Sequence, residues 1–126
     1  MRVLKRETVY EGRFLKFVEK TALTKDNKEI VWETIERKNI YGEGVVTVVP
    51  VTAYNEFVME RQWRAALESF VIQFPAGLAD IENEASEDMA RRELLEETGY
   101  KAGKLIPIIT APTNPVLSPI TSLYYF

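Results

Sequence analysis

Residues 91–100 read Arg91-Arg92-Glu93-Leu94-Leu95-Glu96-Glu97-Thr98-Gly99-Tyr100, and their spacing predicts an α-helix that stops at Gly99. Ser86 stands where an N-cap is needed, Glu87 and Asp88 fall in a first turn that favours negative charge, and Gly99 supplies a left-handed terminus. At about 100° per residue, Glu93 and Glu97 lie one turn apart on one face with Glu96 beside them. Like charges so spaced destabilise an isolated helix by roughly 0.2–0.5 kcal/mol per pair, which Arg91 and Arg92 partly offset. Taken alone, such a cluster reads as a solvated acidic face. The alternative is a hard cation, because magnesium takes oxygen ligands and keeps waters that a phosphate can displace.

Composition narrows the chemistry further. The 126 residues contain no cysteine and no histidine, which excludes disulfides, thiolate or imidazole metal sites, cysteine nucleophiles and histidine-centred triads. Acid–base and metal chemistry must therefore come from Asp, Glu, Lys or Tyr. A hydrophobic share of 46% with 28% charged residues suffices for a core. The net charge of −3 disfavours a general nucleic-acid binder. No apolar run approaches the ~20 residues of a membrane span, and the basic start Met1–Arg6 leads into no signal segment. A cytoplasmic protein with no membrane partner is expected.

Working outward from the helix, the rest reads mostly as strands. Thr8-Val9-Tyr10 precedes the turn signal Glu11-Gly12, and Arg13–Leu23 with Glu29–Arg37 reads as a hairpin across Lys25-Asp26-Asn27-Lys28. Val45–Val51 has the apolar, β-branched pattern of a central strand covered on both faces. Phe57–Arg61 and Phe70–Phe74 follow, the latter ended by Pro75-Ala76-Gly77. Leu105–Ala111 and Ile120–Phe126 are strands after the helix. Many strands with one embedded helix imply a mixed α/β sandwich rather than repeated βαβ units. The chain stops on the apolar Leu123-Tyr124-Tyr125-Phe126, as though cut within a domain.

Gly77-Leu-Ala-Asp-Ile-Glu-Asn-Glu84, followed by Arg92-Glu93-Leu94-Leu95-Glu96-Glu97-Thr98-Gly99-Tyr100, closely resembles the Nudix box, G-x5-E-x7-R-E-U-x-E-E-x-G-U. The second part matches at every specified position. The one departure is that six residues separate Gly77 from Glu84. The resemblance implies an α/β/α sandwich with a mixed sheet. Residues 1–38 would be an N-terminal antiparallel strand extension, and residues 39–126 the Nudix fold. It further implies Mg2+ as cofactor, with Mn2+ as a substitute, held by Glu93, Glu97, Glu96 and the Ala76 carbonyl. Arg92 would pair with a glutamate and hold it in place. Gly77 would let backbone approach the site closely.

Arg61-Gln62-Trp63-Arg64 with Gln73-Phe74-Pro75-Ala76-Gly77 resembles the ADP-ribose (ADP-sugar) pyrophosphatase branch of that family, as do Gly12-Arg13-Phe14 and Trp32–Arg37. By that resemblance Phe14 and Trp32, eighteen residues apart, would sandwich adenine, one from each subunit of a homodimer. Glu33 and Arg37 would contact the base or nearby groups, and Arg64 the phosphates. Base–aromatic stacking contributes roughly 1–3 kcal/mol, and arginine offers a planar fork for phosphate oxygens. Three features depart from the branch. Gln73 replaces its usual glutamate, Pro115-Val116 replaces Pro-Gly in a loop at 113–118, and no residue beyond Phe126 supplies its loop base. The expectation is magnesium-dependent hydrolysis of ADP-ribose to AMP and ribose 5-phosphate. Two other readings stay open: another nucleoside-diphosphate substrate, and a module or fragment that binds ADP-ribose without cleaving it.

Overall fold

The computed structural model describes residues 1–42, 44–114, 118 and 121–126; Pro115-Val116 falls outside them. The chain forms two compact units. One comprises Met1–Ile40 with the described residues of 112–120, the other Tyr41–Ala111 with Thr121–Phe126.

The first unit is a three-stranded antiparallel sheet of β1 (Arg2–Glu11), β2 (Leu15–Leu23) and β3 (Glu29–Arg37), in the order β1-β2-β3. The β2–β3 hairpin turns at Lys25–Lys28, where Asn27 takes a positive φ of 58°, a conformation asparagine tolerates. Its register pairs Lys20 with Trp32 and Leu15 with Arg37. Strand β1 is far longer than the Thr8–Tyr10 segment that the sequence suggests. Its basic start, Arg2–Arg6, pairs along β2 despite weak alternation. Cross-strand charge explains this: the Glu36 carboxylate takes Arg6 from β1 and Lys20 from β2, the latter at 3.1 Å. Burial works against the Glu36 charge, but these two cations outweigh it and hold its carboxyl below the usual range. Val18 and Ala22 are the buried residues of β2.

The second unit is built on a four-stranded sheet in the order β7-β4-β9-β8, from β4 (Val45–Val48), β7 (Ala76–Leu78), β8 (Pro107–Pro112) and β9 (Thr121–Tyr125). Strand β4 runs antiparallel to β7 and parallel to β9, so the sheet is mixed. Val46 and Val48 are fully buried, as the apolar run demands, but the strand ends before Pro50. A separate hairpin, β5 (Glu60–Arg64) and β6 (Ser69–Gln73), turns through a 3-10 segment at Ala65–Leu67. Strand β5 begins three residues later than Phe57–Arg61 suggests.

Helix α1 (Ser86–Thr98) is the one α-helix among the described residues and packs against β4 and β7. Ala85, not Ser86, is its N-cap, and no side chain caps it. Ser86 is instead the first helical residue. Gly99 ends the helix at φ 76°, its N–H bonded to the Leu95 carbonyl at 2.9 Å. Met89, Ala90, Glu93 and Leu94 form the buried face, so a glutamate occupies a position that the helical period reserves for apolar residues. Pro75-Ala76-Gly77 is not merely a strand ending, because Ala76–Leu78 is itself the edge strand β7.

Val46 pairs with Gly77 on one side and Leu123 on the other and is wholly inaccessible to solvent. Val46→Ala is expected to cost roughly 1.5–3 kcal/mol of stability, read as a lower midpoint in urea unfolding with an unchanged slope.

Candidate metal centre

The site starts from a missing side chain. Gly77 on β7 faces α1 so closely that a Cβ there would lie 1.9 Å from Cδ of Glu93. Its φ is not positive, so the requirement is proximity rather than backbone conformation. The Glu93 carboxylate therefore rests on the strand backbone. One turn on, Glu97 accepts the Ala76 N–H on Oε2 at 3.0 Å. Two carboxylates of one helix face are thereby pressed against the Ala76–Gly77 peptide. This needs both the edge strand and the glycine.

Arg92 organises the other side. Its Nε and one terminal nitrogen donate to the two Glu84 oxygens, each at 2.9 Å, a bidentate fork. Its remaining terminal nitrogen donates to Glu93 at 2.6 Å and lies 3.4 Å from Glu96. Asp80 completes the ring at 3.8 Å. Glu84 thus anchors Arg92, and Arg92 orients Glu93. The extra residue in the loop after Gly77 does not prevent Glu84 from reaching the helix, since the loop closes with Asn83 at a positive φ of 63°.

Burial separates the three glutamates. Glu93 is nearly buried, while the Glu96 side chain is 59% exposed. Desolvation pushes the Glu93 carboxyl above its ordinary range, partly opposed by Arg92. Desolvation does the same to Glu97, aided by the charges of Glu60 and Glu93 and opposed by the Ala76 N–H and Arg64. Glu84 goes the other way, held low by the Arg92 hydrogen bonds. Two partly buried carboxylates that lack full countercharge form an oxygen-only donor set suited to a hard cation. Among the described residues no three acidic groups converge into a ready cage. A cation that takes one or two carboxylates and fills its shell with water and phosphate oxygens fits this set.

Of the other residues singled out by sequence, Arg64 lies on the β5–β6 hairpin of this same unit, within electrostatic reach of Glu97. Phe14, Trp32, Glu33 and Arg37 belong to the N-terminal sheet. Phe14 and Trp32 are both exposed. The Phe14 carbonyl accepts the Lys38 N–H, so about 20 Å of strand separates the two backbones. Strand alternation puts Glu33 and Arg37 on the face of β3 opposite Trp32. A cavity of about 670 Å³, bordered by Val48, Tyr54, Leu94, Tyr100 and Phe126, is not lined by Glu93, Glu96 or Glu97. The residue that sequence reading leaves out is Glu60, whose place opposite Gln73 follows only from strand register.

A carboxyl whose folded pKa exceeds its unfolded value contributes stability at low pH and loses it as pH rises through the raised pKa. Glu97→Gln is therefore expected to raise the melting midpoint of the metal-free chain at about pH 7, with the difference closing near pH 4. Added Mg2+ or Mn2+ is expected to stabilise the native sequence and not the variant. Thermal scans with and without chelator check both.

Residues 43–125 match the NUDIX domain. The chain is 36% identical over 105 residues to the ADP-sugar pyrophosphatase of Mus musculus, covering 79% of this chain and 48% of that protein. It is 39% identical over 80 residues to the ADP-ribose pyrophosphatase of Bacillus subtilis, covering 64% and 43%. It is 32% identical over 115 residues to the methanol dehydrogenase activator of Bacillus methanolicus, covering 90% and 58%. The chain thus spans about half the length of these curated relatives. The crystal structure of an ADP compounds hydrolase superposes with a TM-score of 0.82 at 23% identity, over 98% of this chain and 64% of that one. The domain match, the box on β7 and α1 and the shared fold agree: this chain belongs to the Nudix family.

Proposed function

We propose that the chain hydrolyses the diphosphate bond of an ADP-sugar, ADP-ribose foremost, in a Mg2+-dependent reaction giving AMP and the sugar phosphate. The observation that carries this is the seating of Glu93 and Glu97 on the Ala76–Gly77 backbone under the Arg92–Glu84 clamp. The adenine and sugar assignments are supported by likeness to the ADP-sugar and ADP-ribose pyrophosphatases.

The electrostatics explain why these residues alone do not suffice. Two unit charges about 4 Å apart repel by roughly 4 kcal/mol at an effective dielectric of 20, and a diphosphate would meet several such carboxylates. Glu93 and Glu97, with the Ala76 carbonyl, would hold a divalent cation, which would supply countercharge and make water a better nucleophile toward phosphorus. Arg92 keeps Glu93 in place from the side and is itself fixed by Glu84. Glu96, the exposed member, accepts the proton of the attacking water. Arg64 binds the phosphate oxygens of the substrate diphosphate, and AMP and the sugar phosphate leave as the anhydride bond breaks.

The adenine would stack on Phe14 and Trp32. With their backbones about 20 Å apart within one sheet, this reading takes one ring from each of two copies, and so a homodimer. A cytoplasmic location belongs to the same proposal.

Chromatography of reactions with ADP-ribose and Mg2+ is expected to show AMP and ribose 5-phosphate in equal amounts. Binding without turnover would make the chain a binding module, and preference for a non-adenine diphosphate would reject the adenine assignment. Loss of a metal site's supporting partners costs about 10–100-fold, so Glu97→Gln is expected to cost at least that much in kcat. Unchanged activity in Glu97→Gln would overturn the metal assignment. Trp32→Ala is expected to raise KM more than it lowers kcat, because stacking binds a remote group.

A further inference from the structure

The β5–β6 hairpin carries two different faces. Arg61, Trp63, Phe70 and Ile72 share one, where the Arg61 guanidinium lies 3.7 Å from the Phe70 ring centre and Trp63 meets Phe70 edge-on at 5.3 Å. Glu60, Gln62, Arg64, Ser69, Val71 and Gln73 share the other. On this second face a chain of hydrogen bonds runs lengthwise. Arg64 donates from Nε and a terminal nitrogen to the Gln73 oxygen at 2.8 and 2.6 Å, and the Gln73 amide nitrogen donates to Glu60 at 2.5 Å. The same nitrogen lies 3.4 Å from the Gln62 oxygen.

The geometry demands an amide at position 73. Glu60 and Arg64 are four residues apart on one strand, about 13 Å along it, so a third side chain bridges them. Gln73 stands directly opposite Glu60 in the ladder. Arginine offers only donors and an ionised carboxylate only acceptors, so the bridge must do both, and the two neighbours fix which end of the amide points where. A glutamate at 73 would accept from Arg64 but would set a second carboxylate against Glu60. Both Glu60 and Arg64 act electrostatically on Glu97, so the chain of bonds borders the metal-site face. Two of the five N–H groups of Arg64 go to Gln73, and the others are left for phosphate oxygens.

We propose that Gln73 is a positioning residue that orients Arg64 toward the substrate diphosphate, and that its neutrality is matched to the carboxylate of Glu60 across the hairpin. For the identity of the anion this rests on the ADP-sugar hydrolase reading above.

The test combines hydrolysis kinetics on ADP-ribose with the 15N–1H signal of the Arg64 Nε group. Gln73→Leu is expected to raise KM about 3–10-fold, the range spanned by one hydrogen bond, with kcat within about twofold. On an Arg64→Ala background the same change is expected to add nothing, because Gln73 acts through Arg64. Gln73→Glu alone is expected to raise KM as well. The double exchange Glu60→Gln with Gln73→Glu is expected to restore it, since an amide at 60 can donate to a carboxylate at 73 that still accepts from Arg64. An unchanged KM in Gln73→Leu, a fully additive effect with Arg64→Ala, or no rescue by the exchange would overturn the proposal. If the native chain does not hydrolyse ADP-ribose, the function reading is what fails. The Arg64 signal then decides: loss of exchange protection in Gln73→Leu and its return in the double exchange support the positioning role, and an unaltered signal refutes it.

Discussion

The contact on which the unit built around α1 depends is the approach of Glu93 to Gly77. A helix packed on a sheet ordinarily seals the gap with apolar side chains, and α1 does so with Met89, Ala90 and Leu94. At Glu93 it instead lowers a carboxylate onto strand backbone through the space that a Cβ would fill. Burying that carboxylate costs desolvation energy, visible in its raised pKa. The arrangement is tolerable because Arg92 donates to it from the side. Fold and side-chain placement meet at that contact: the strand pairing that fixes Gly77 against Val46 also fixes the backbone on which Glu93 rests.

The Arg92–Glu84 fork extends this logic outward. Glu84 lies in the loop before the helix, yet it engages two of the three Arg92 nitrogens. A bidentate pair fixes the plane of the guanidinium, so the remaining nitrogen has a defined place next to Glu93. Loop, helix and strand are thereby cross-linked around two carboxylates that would otherwise repel each other. The opposite pKa trends of Glu84 and Glu93 express the difference between a carboxylate whose pairing with Arg92 prevails and one whose burial outweighs the same pairing.

The N-terminal sheet is organised on different terms. Much of its surface is exposed, including Val3, Tyr10, Phe14, Val31 and Trp32, while charge pairs such as Lys38 with Glu11 and Lys20 with Glu36 cross-link its strands. Its separation of Phe14 from Trp32 along the hairpin bears directly on how a base could be held.

The sequence by itself determined the helix, its glycine stop and the grouping of three glutamates, because the 3.6-residue period and the left-handed preference of glycine are local properties of the chain. It also determined the β2–β3 hairpin, through a polar turn between two β-rich runs, and the central strand, through a run that is nearly all β-branched and apolar. Strand β7 was not legible, since three residues after a proline carry no periodic signal and Ala76–Gly77 becomes a strand only by pairing with β4. The length of β1 was hidden for a similar reason: its charges are satisfied across the sheet and not along the chain. Nor could spacing show that Glu96 turns toward solvent while Glu93 and Glu97 turn toward the strand backbone, or that Glu60 faces Gln73. Those facts depend on register and on which helix face meets the sheet, and such long-range pairings are decided only when the chain closes on itself.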